Sequence, residues 1–297
     1  MKDHLAVPVP MAAASRAWSI AAAPRGAALA RAAALVALLL LIAPPTDRRM
    51  ADRGPSVRAG IAVDLPPLML WAWDRNDDLR FIDTGDTGVA LLAATVTLRG
   101  DGVALAPRRN PLVLPDGVRR VAVIHVETDR AQPPTLSDAQ LRRFVDTLAA
   151  VGDAVPHHVL QVDFEAVASQ RTFLIDAVAA LREQRPGAAI SVTALASWCF
   201  NESWTARLAA DEVVPMLFRM GYDGRRLRAH LQSGGDFRGG ECRLSLGVAT
   251  DELPAVLPAM LLLGRRIYVF NPRRWSAETY NTVRTRMGRW SHARLPD

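Results

Sequence analysis

The sequence predicts a (β/α)8 barrel, and three observations carry that prediction. Eight short apolar runs rich in Val, Ile, Leu or aromatic residues recur through the last roughly 230 residues, the strand count and length that such a barrel requires. Helix-like segments separate most of them, as alternating β and α elements demand. The first run is followed by Trp71-Ala72-Trp73-Asp74 where an open doubly wound sheet, the competing architecture, would carry a glycine-rich phosphate turn.

Taken in order, the predicted strands are Leu68–Trp73, Val89–Leu98, Arg120–Glu127, Val159–Glu165, Ala189–Trp198, Val213–Met220, Arg243–Thr250 and Arg266–Asn271. The clearest helices are Ser137–Val151, opened by Ser137 as N-cap, Ser169–Gln184, ended by Pro186-Gly187, and Ala277–Trp290, capped by Ser276. Shorter helices are expected at Trp204–Ala210, Arg225–Leu231 and Pro254–Leu263. Between Leu79 and Pro115 no long helix is evident, and Asp83–Gly88 and Gly100–Gly102 read as hairpin turns. No internal repeat is visible.

Half of the 297 residues are hydrophobic and 22% are charged, which excludes a disordered chain, a collagen-like repeat and a multi-pass membrane protein. The formal charge of +6 suggests a nucleic-acid partner until its position is examined. Residues 1–60 hold eight Lys/Arg against three Asp, leaving 28 basic against 27 acidic side chains beyond them. A nearly neutral fold gives no support to phosphate tracking, so no nucleic acid is expected.

The basic N-terminal region precedes the apolar stretch Ala27–Ala43, which ends at Pro44-Pro45. That layout is that of a secretory signal, or, read back to Ala27, an uncleaved membrane anchor, with an unrelated apolar leader as the third alternative. The chain therefore divides into a signal or anchor (1–43), a Pro- and Arg-rich linker (44–66) and a barrel domain (67–297), with an exported, periplasmic or extracytoplasmic location. Cys199 and Cys242 suit one disulfide in such a compartment, or else two separate buried thiols. No Cys-x-x-Cys, His-x-x-x-His or His-Glu-x-x-His spacing occurs, so neither a metal nor another cofactor is expected.

In a barrel of this kind the chemistry sits at the C-terminal ends of the strands. Those ends supply Trp71 and Trp73 from the first strand, His125 and Glu127 from the third, and Gln161, Asp163 and Glu165 from the fourth. Trp198 closes the fifth, Met216, Arg219 and Asp223 belong to or follow the sixth, and Asn271 to Trp275 follow the eighth. The sharpest signal is Gln161-Val162-Asp163-Phe164-Glu165, which sets two acids on one face of one strand. Two carboxylates crowded on a buried face cannot both ionise cheaply, which raises one toward the range of a general acid. Glu165, nearest the mouth, is assigned as proton donor and Asp163 as its orienting or charge-stabilising partner. The alternative pairs these acids with arginines such as Arg171 or Arg219 in a purely structural role. Four tryptophans at the mouth (Trp71, Trp73, Trp198, Trp275) suit the apolar faces of sugar rings, so carbohydrate or another cell-envelope ligand is the expected partner.

Other motifs carry less. Asp83-Thr84-Gly85 and Asp86-Thr87-Gly88 spell the triplet of aspartic proteases, but they abut in an α/β context and read as a turn. Gly234-Gly235 and Gly239-Gly240 flank a loop, and His157-His158 falls at a strand entrance, away from the mouth.

Two resemblances attach to these residues. Leu70-Trp71-Ala72-Trp73, the Gln161–Ala166 segment, Ser191–Cys199, Pro215–Gly221 and Tyr268–Pro272 together resemble the bacterial domain-of-unknown-function family 3142, which would cover nearly everything after the linker and implies no particular activity. More distantly, Gln161-x-Asp163-x-Glu165 resembles the Asp-x-Asp-x-Glu of the family 18 glycoside hydrolases, the chitinase-like barrels. That resemblance implies Glu165 as the acid, Asp163 as the residue that orients the substrate's N-acetyl group, and Trp275 as the floor of a sugar subsite. The sequence departs from that family at Gln161, and at Met216-Leu217-Phe218-Arg219 where the family has Met-x-Tyr-Asp. A glycoside hydrolase and an inactive barrel that binds polysaccharide or an envelope protein are the two expectations.

Overall fold

The computed structural model describes residues 64–253 and 264–292. The apolar leader, nearly all of the linker and the helix expected at Pro254–Leu263 lie outside the described residues. Eight parallel strands form the core: β1 (Leu68–Ala72), β2 (Thr87–Arg99), β3 (Arg120–Thr128), β4 (Val159–Asp163), β5 (Ala189–Leu195), β6 (Glu212–Met216), β7 (Ser245–Ala249) and β8 (Arg266–Phe270). Each pairs with the next in sequence, and β1 pairs with both β2 and β8, which closes the ring. A bulge in β2 between Leu92 and Ala94 shifts its register against β3.

Alternation along the strands sorts the core into two clusters. Met69, Trp71, Val121, Val123, Val159, Ala189, Val214, Met216 and Tyr268 pack inside the ring. Their neighbours Leu68, Leu70, Ala122, Ile124, Leu160, Val162, Ile190 and Val192 face outward onto the helices. Strands buried on both faces are why each reads as a near-continuous apolar run. Helices α1 (Asp138–Ala154), α2 (Arg171–Gln184), α3 (Ala196–Asn201), α4 (Gly224–Gln232) and α5 (Ala277–His292) follow β3, β4, β5, β6 and β8. The predicted cap holds, since the Ser137 side chain accepts a hydrogen bond from the Gln140 backbone N–H.

The first two crossovers contain no α-helix, in line with the lack of a helical pattern between Leu79 and Pro115, while several other expectations are corrected. The β1–β2 loop contributes the short strand Asp77–Asp78, which pairs with Leu112–Val113, and β2 runs on past the ring and folds back as an antiparallel ribbon, Gly102–Pro107. Gln140, wholly buried at the start of α1, donates to the carbonyls of Gly100 (3.0 Å) and Gly102 (2.8 Å) and accepts from Leu136 N–H (2.9 Å). It thereby ties the ribbon's turn to the helix. The predicted fourth and fifth strands are too long. β4 stops at Asp163, and the chain from Ala196 turns into α3, so Trp198 leaves the strand and packs against Trp204 at 4.8 Å among the outer core. The Trp204–Ala210 helix is a single 3-10 turn, Trp204–Arg207. The Asp-Thr-Gly triplets form a turn but not a hairpin, because β1 and β2 on either side of it run parallel; Asp83 accepts from Gly85 N–H and Asp86 pairs with Arg284. Cys199 of α3 and Cys242, just before β7, are joined as a disulfide.

Candidate active site

Inside the ring the polar side chains form two layers. The deeper layer is a chain of hydrogen bonds. Trp71 Nε1 donates to Gln161 Oε1 (2.8 Å), Gln161 Nε2 to Ser191 Oγ (3.0 Å), and Ser191 Oγ to Glu212 Oε2 (2.9 Å). Glu212, with 1% of its surface exposed, also accepts from the Tyr268 hydroxyl (2.9 Å) and pairs with Arg266. Burial pushes the Tyr268 phenol well up, and the Glu212 charge adds to it, so the hydroxyl keeps its proton and donates. Gly247 completes this layer, because a Cβ there would come within 2.9 Å of the Trp71 ring.

The upper layer faces the mouth. Asp163, the last residue of β4, is held at both oxygens. Thr193 of β5 donates to Oδ1, and His125 Nδ1 donates to Oδ2 at 2.7 Å. The other ring nitrogen of His125 lies 3.5 Å from Glu127 Oε1, so the imidazole sits between two carboxylates. Trp73 meets the His125 ring edge-on at 5.6 Å and Phe270 at 5.7 Å. Phe218 stacks on Phe270 with ring planes 8° apart, and the Arg219 guanidinium lies over the same ring at 5.3 Å. Arg219 adopts φ of 50°, a left-handed backbone that costs a non-glycine residue about 1–2 kcal/mol. Its N–H is caught by both oxygens of Glu252, at 3.2 and 3.3 Å.

Glu165, two residues past Asp163, is exposed at this mouth, and its carboxyl makes no hydrogen bond among the described residues. Loss of surrounding water, and then the Asp163 carboxylate, push it above the ordinary 4.5 of a glutamate, while His125 and Arg219 pull the other way. For His125, burial opposes the charge. The hydrogen bond to Asp163 and the carboxylates of Asp163, Glu127 and Glu165 outweigh that burial and hold the imidazole above its ordinary 6.5.

Of the residues singled out from the sequence, Asp163, Glu165, His125, Glu127, Trp73 and Arg219 meet at the mouth. Met216 is buried on the inner wall, and Gln161 and Trp71 lie a layer deeper, buried and bonded to each other. Trp275 is also buried, its indole N–H donating to the Trp71 carbonyl and its backbone N–H to Asp77. Asn271 is consumed by Thr250, Arg273 and Arg274. These two brace the loop after β8 and are 6% and 4% exposed. Asp223 stands at the N-terminus of α4. Arg171 pairs with Glu202, so it does not neutralise the fourth-strand acids. His157 and His158 stand at the β4 entrance, where His158 Nδ1 accepts from Arg120 N–H. Sequence reasoning missed Thr193, Phe218 and Phe270. Period-2 alternation from Ser191 and from Met216 marks the first two as inward-facing.

Among the described residues no helix is long and apolar enough to cross a membrane, and no group of three His, Cys, Asp or Glu side chains could hold a metal ion. No family model matches the chain, so the resemblance to family 3142 gains no support from that comparison, and no curated protein matches either. Among solved structures, a crystal structure described as "putative Chitinase A" of Streptomyces coelicolor aligns over 76% of this chain and 98% of its own, with 12% identity and a TM-score of 0.46. The barrel itself rests on the strand pairing.

Proposed function

We propose that the barrel acts on carbohydrate as a glycoside hydrolase, with Glu165 as the proton donor and Asp163 as the fixed carboxylate beside it. One observation carries the reading: a glutamate with a raised pKa and no hydrogen-bond partner among the described residues follows, two positions on, a carboxylate held at both oxygens, at a mouth walled by Trp73, Phe218 and Phe270. The protonated Glu165 would pass its proton to the glycosidic oxygen, and the Asp163 charge would stabilise the positive charge that develops on the sugar ring. The aromatic rings offer apolar faces for sugar rings, and His125, Glu127 and Arg219 offer polar contacts at the rim. Export to an oxidising compartment belongs to the same proposal, and the Cys199–Cys242 disulfide supports it.

The test is hydrolysis of a panel of bacterial glycans by wild type and Glu165→Gln, read as release of reducing ends. The variant is expected to lose about 100-fold or more of the wild-type rate. Wild-type activity should persist above pH 4.5 and fall as Glu165 loses its proton. Full turnover by the variant would remove Glu165 from the role.

A second reading, a binding barrel without turnover, is favoured by Gln161, whose amide is fully engaged by Trp71 and Ser191, and by Phe218, which brings no hydroxyl to the mouth. Glycan binding by wild type with no release of reducing ends would select it.

A further inference from the structure

We infer that His125, in its cationic form, is a positioning residue that ties Asp163 down and leaves Glu165 as the acid free to give its proton to a ligand. The inference rests on the proposed role of Glu165 and deepens it. Between two carboxylates two residues apart, something must decide which one carries the exchangeable proton. In this barrel the decision is geometric. Asp163 Oδ1 is engaged by Thr193 and Oδ2 by His125 at 2.7 Å, and only 9% of its side chain is exposed. Glu165, by contrast, has no such partner among the described residues and faces solvent.

His125 can hold this post because every charged group that faces it is acidic. Asp163 comes from β4, Glu165 from the segment after β4, and Glu127 from its own strand, 3.5 Å from Nε2. Its other neighbours carry no charge: Trp73 beyond β1 packs edge-on against the ring, and Thr95 of β2 lies beside it in register. The ring therefore has a carboxylate beside each nitrogen: Nδ1–H donates to Asp163, and the doubly protonated form also sets a positive charge 3.5 Å from Glu127. Glu127, with 57% of its side chain exposed, forms the solvent end of the row. The imidazolium charge is fully present below the ordinary imidazole value and fades as pH rises through the higher value of the folded protein. As that charge is lost, the bond to Asp163 weakens from a charge-assisted one to the neutral bond of the Nδ1–H tautomer.

The decisive experiment is an NMR titration of the His125 ring protons in the full-length protein, in wild type, Asp163→Asn and Glu127→Gln. The wild-type midpoint is expected above 6.5. Asp163→Asn is expected to lower it by about one to three pH units, the effect of losing an adjacent opposite charge, and Glu127→Gln by less. Glu127 is exposed, so its variant keeps the test open if Asp163→Asn does not fold. A wild-type midpoint at or below 6.5 overturns the inference, as does a midpoint that neither substitution moves. None of these readouts needs turnover. Failure to cleave any glycan would remove the hydrolase reading while leaving the His125 tie to stand or fall on its own titration.

Discussion

At Gly247 an added Cβ would sit 2.9 Å from Trp71 Cη2, and the Trp71 indole cannot swing aside without breaking its bond to Gln161. Gly247→Ala is therefore expected to lower stability by about 1–3 kcal/mol, the usual cost of overpacking, as measured by urea unfolding. An unchanged midpoint would show that the Trp71 layer has slack. The same residues show what the sequence can and cannot carry. Period-2 alternation assigns Trp71 and Trp73 to one face, and Gln161 and Asp163 to another, and both assignments match the inner wall. Alternation gives a face but not a depth. Whether an inward residue lies at the mouth or a layer below depends on the stagger between strands, which no single strand encodes. That is why Gln161 and Trp71 read as ligand contacts when they are bonded to each other beneath the mouth. Trp198 fails for a different reason. The apolar run from Ala189 continues unbroken into Ala196–Phe200, and a short apolar run has no period that separates a strand from a buried helix.

At the scale of elements, α1 shows a boundary written locally and a tertiary role that is not. Ser137 announces the helix start by its own chemistry, capping an N–H that would otherwise be unpaired. Gln140, three residues on, looks like an ordinary helical surface residue. It is instead buried against the ribbon turn and satisfies two carbonyls 38 and 40 positions earlier in the chain. Gln140→Leu should take the side-chain donor from the Gly102 carbonyl and the acceptor from the Leu136 N–H, while Gly100 keeps its bond from Thr135 N–H, and destabilise the protein by about 1–3 kcal/mol. Faster amide hydrogen exchange confined at first to Gly100–Pro107 and the first turn of α1 would locate the loss, and uniform exchange would contradict it. The ribbon also explains the Leu79–Pro115 region, which resisted assignment as a βα unit. A β2 strand of 13 residues outruns the barrel wall and returns as a hairpin, doing by sheet extension what a helix does elsewhere in the ring.

On the scale of the whole molecule, two of the long-range ties that brace the ring have measurable consequences. The disulfide links positions 43 apart, from α3 to the entrance of β7. In the chain-entropy model a loop of that length contributes about 4 kcal/mol, so reduction should lower the unfolding free energy by that order, comparing denaturation with and without a thiol reductant. No difference between the two curves would mean that the reduced chain keeps these elements together unaided. The second tie is the deep hydrogen-bonded layer. Glu212 enters on β6, while Arg266 and Tyr268 enter on β8, 54 and 56 residues later, and Gln161 follows its partner Trp71 by 90. During synthesis, then, the carboxylate leaves the ribosome before its guanidinium and phenol partners exist, and burying it early would cost several kcal/mol. Contacts this distant in sequence slow the search for the native ring. The final strand thus acts as a latch, and partial barrels lacking it are poor folding units, because their interior carries a charge whose counterpart has yet to be made.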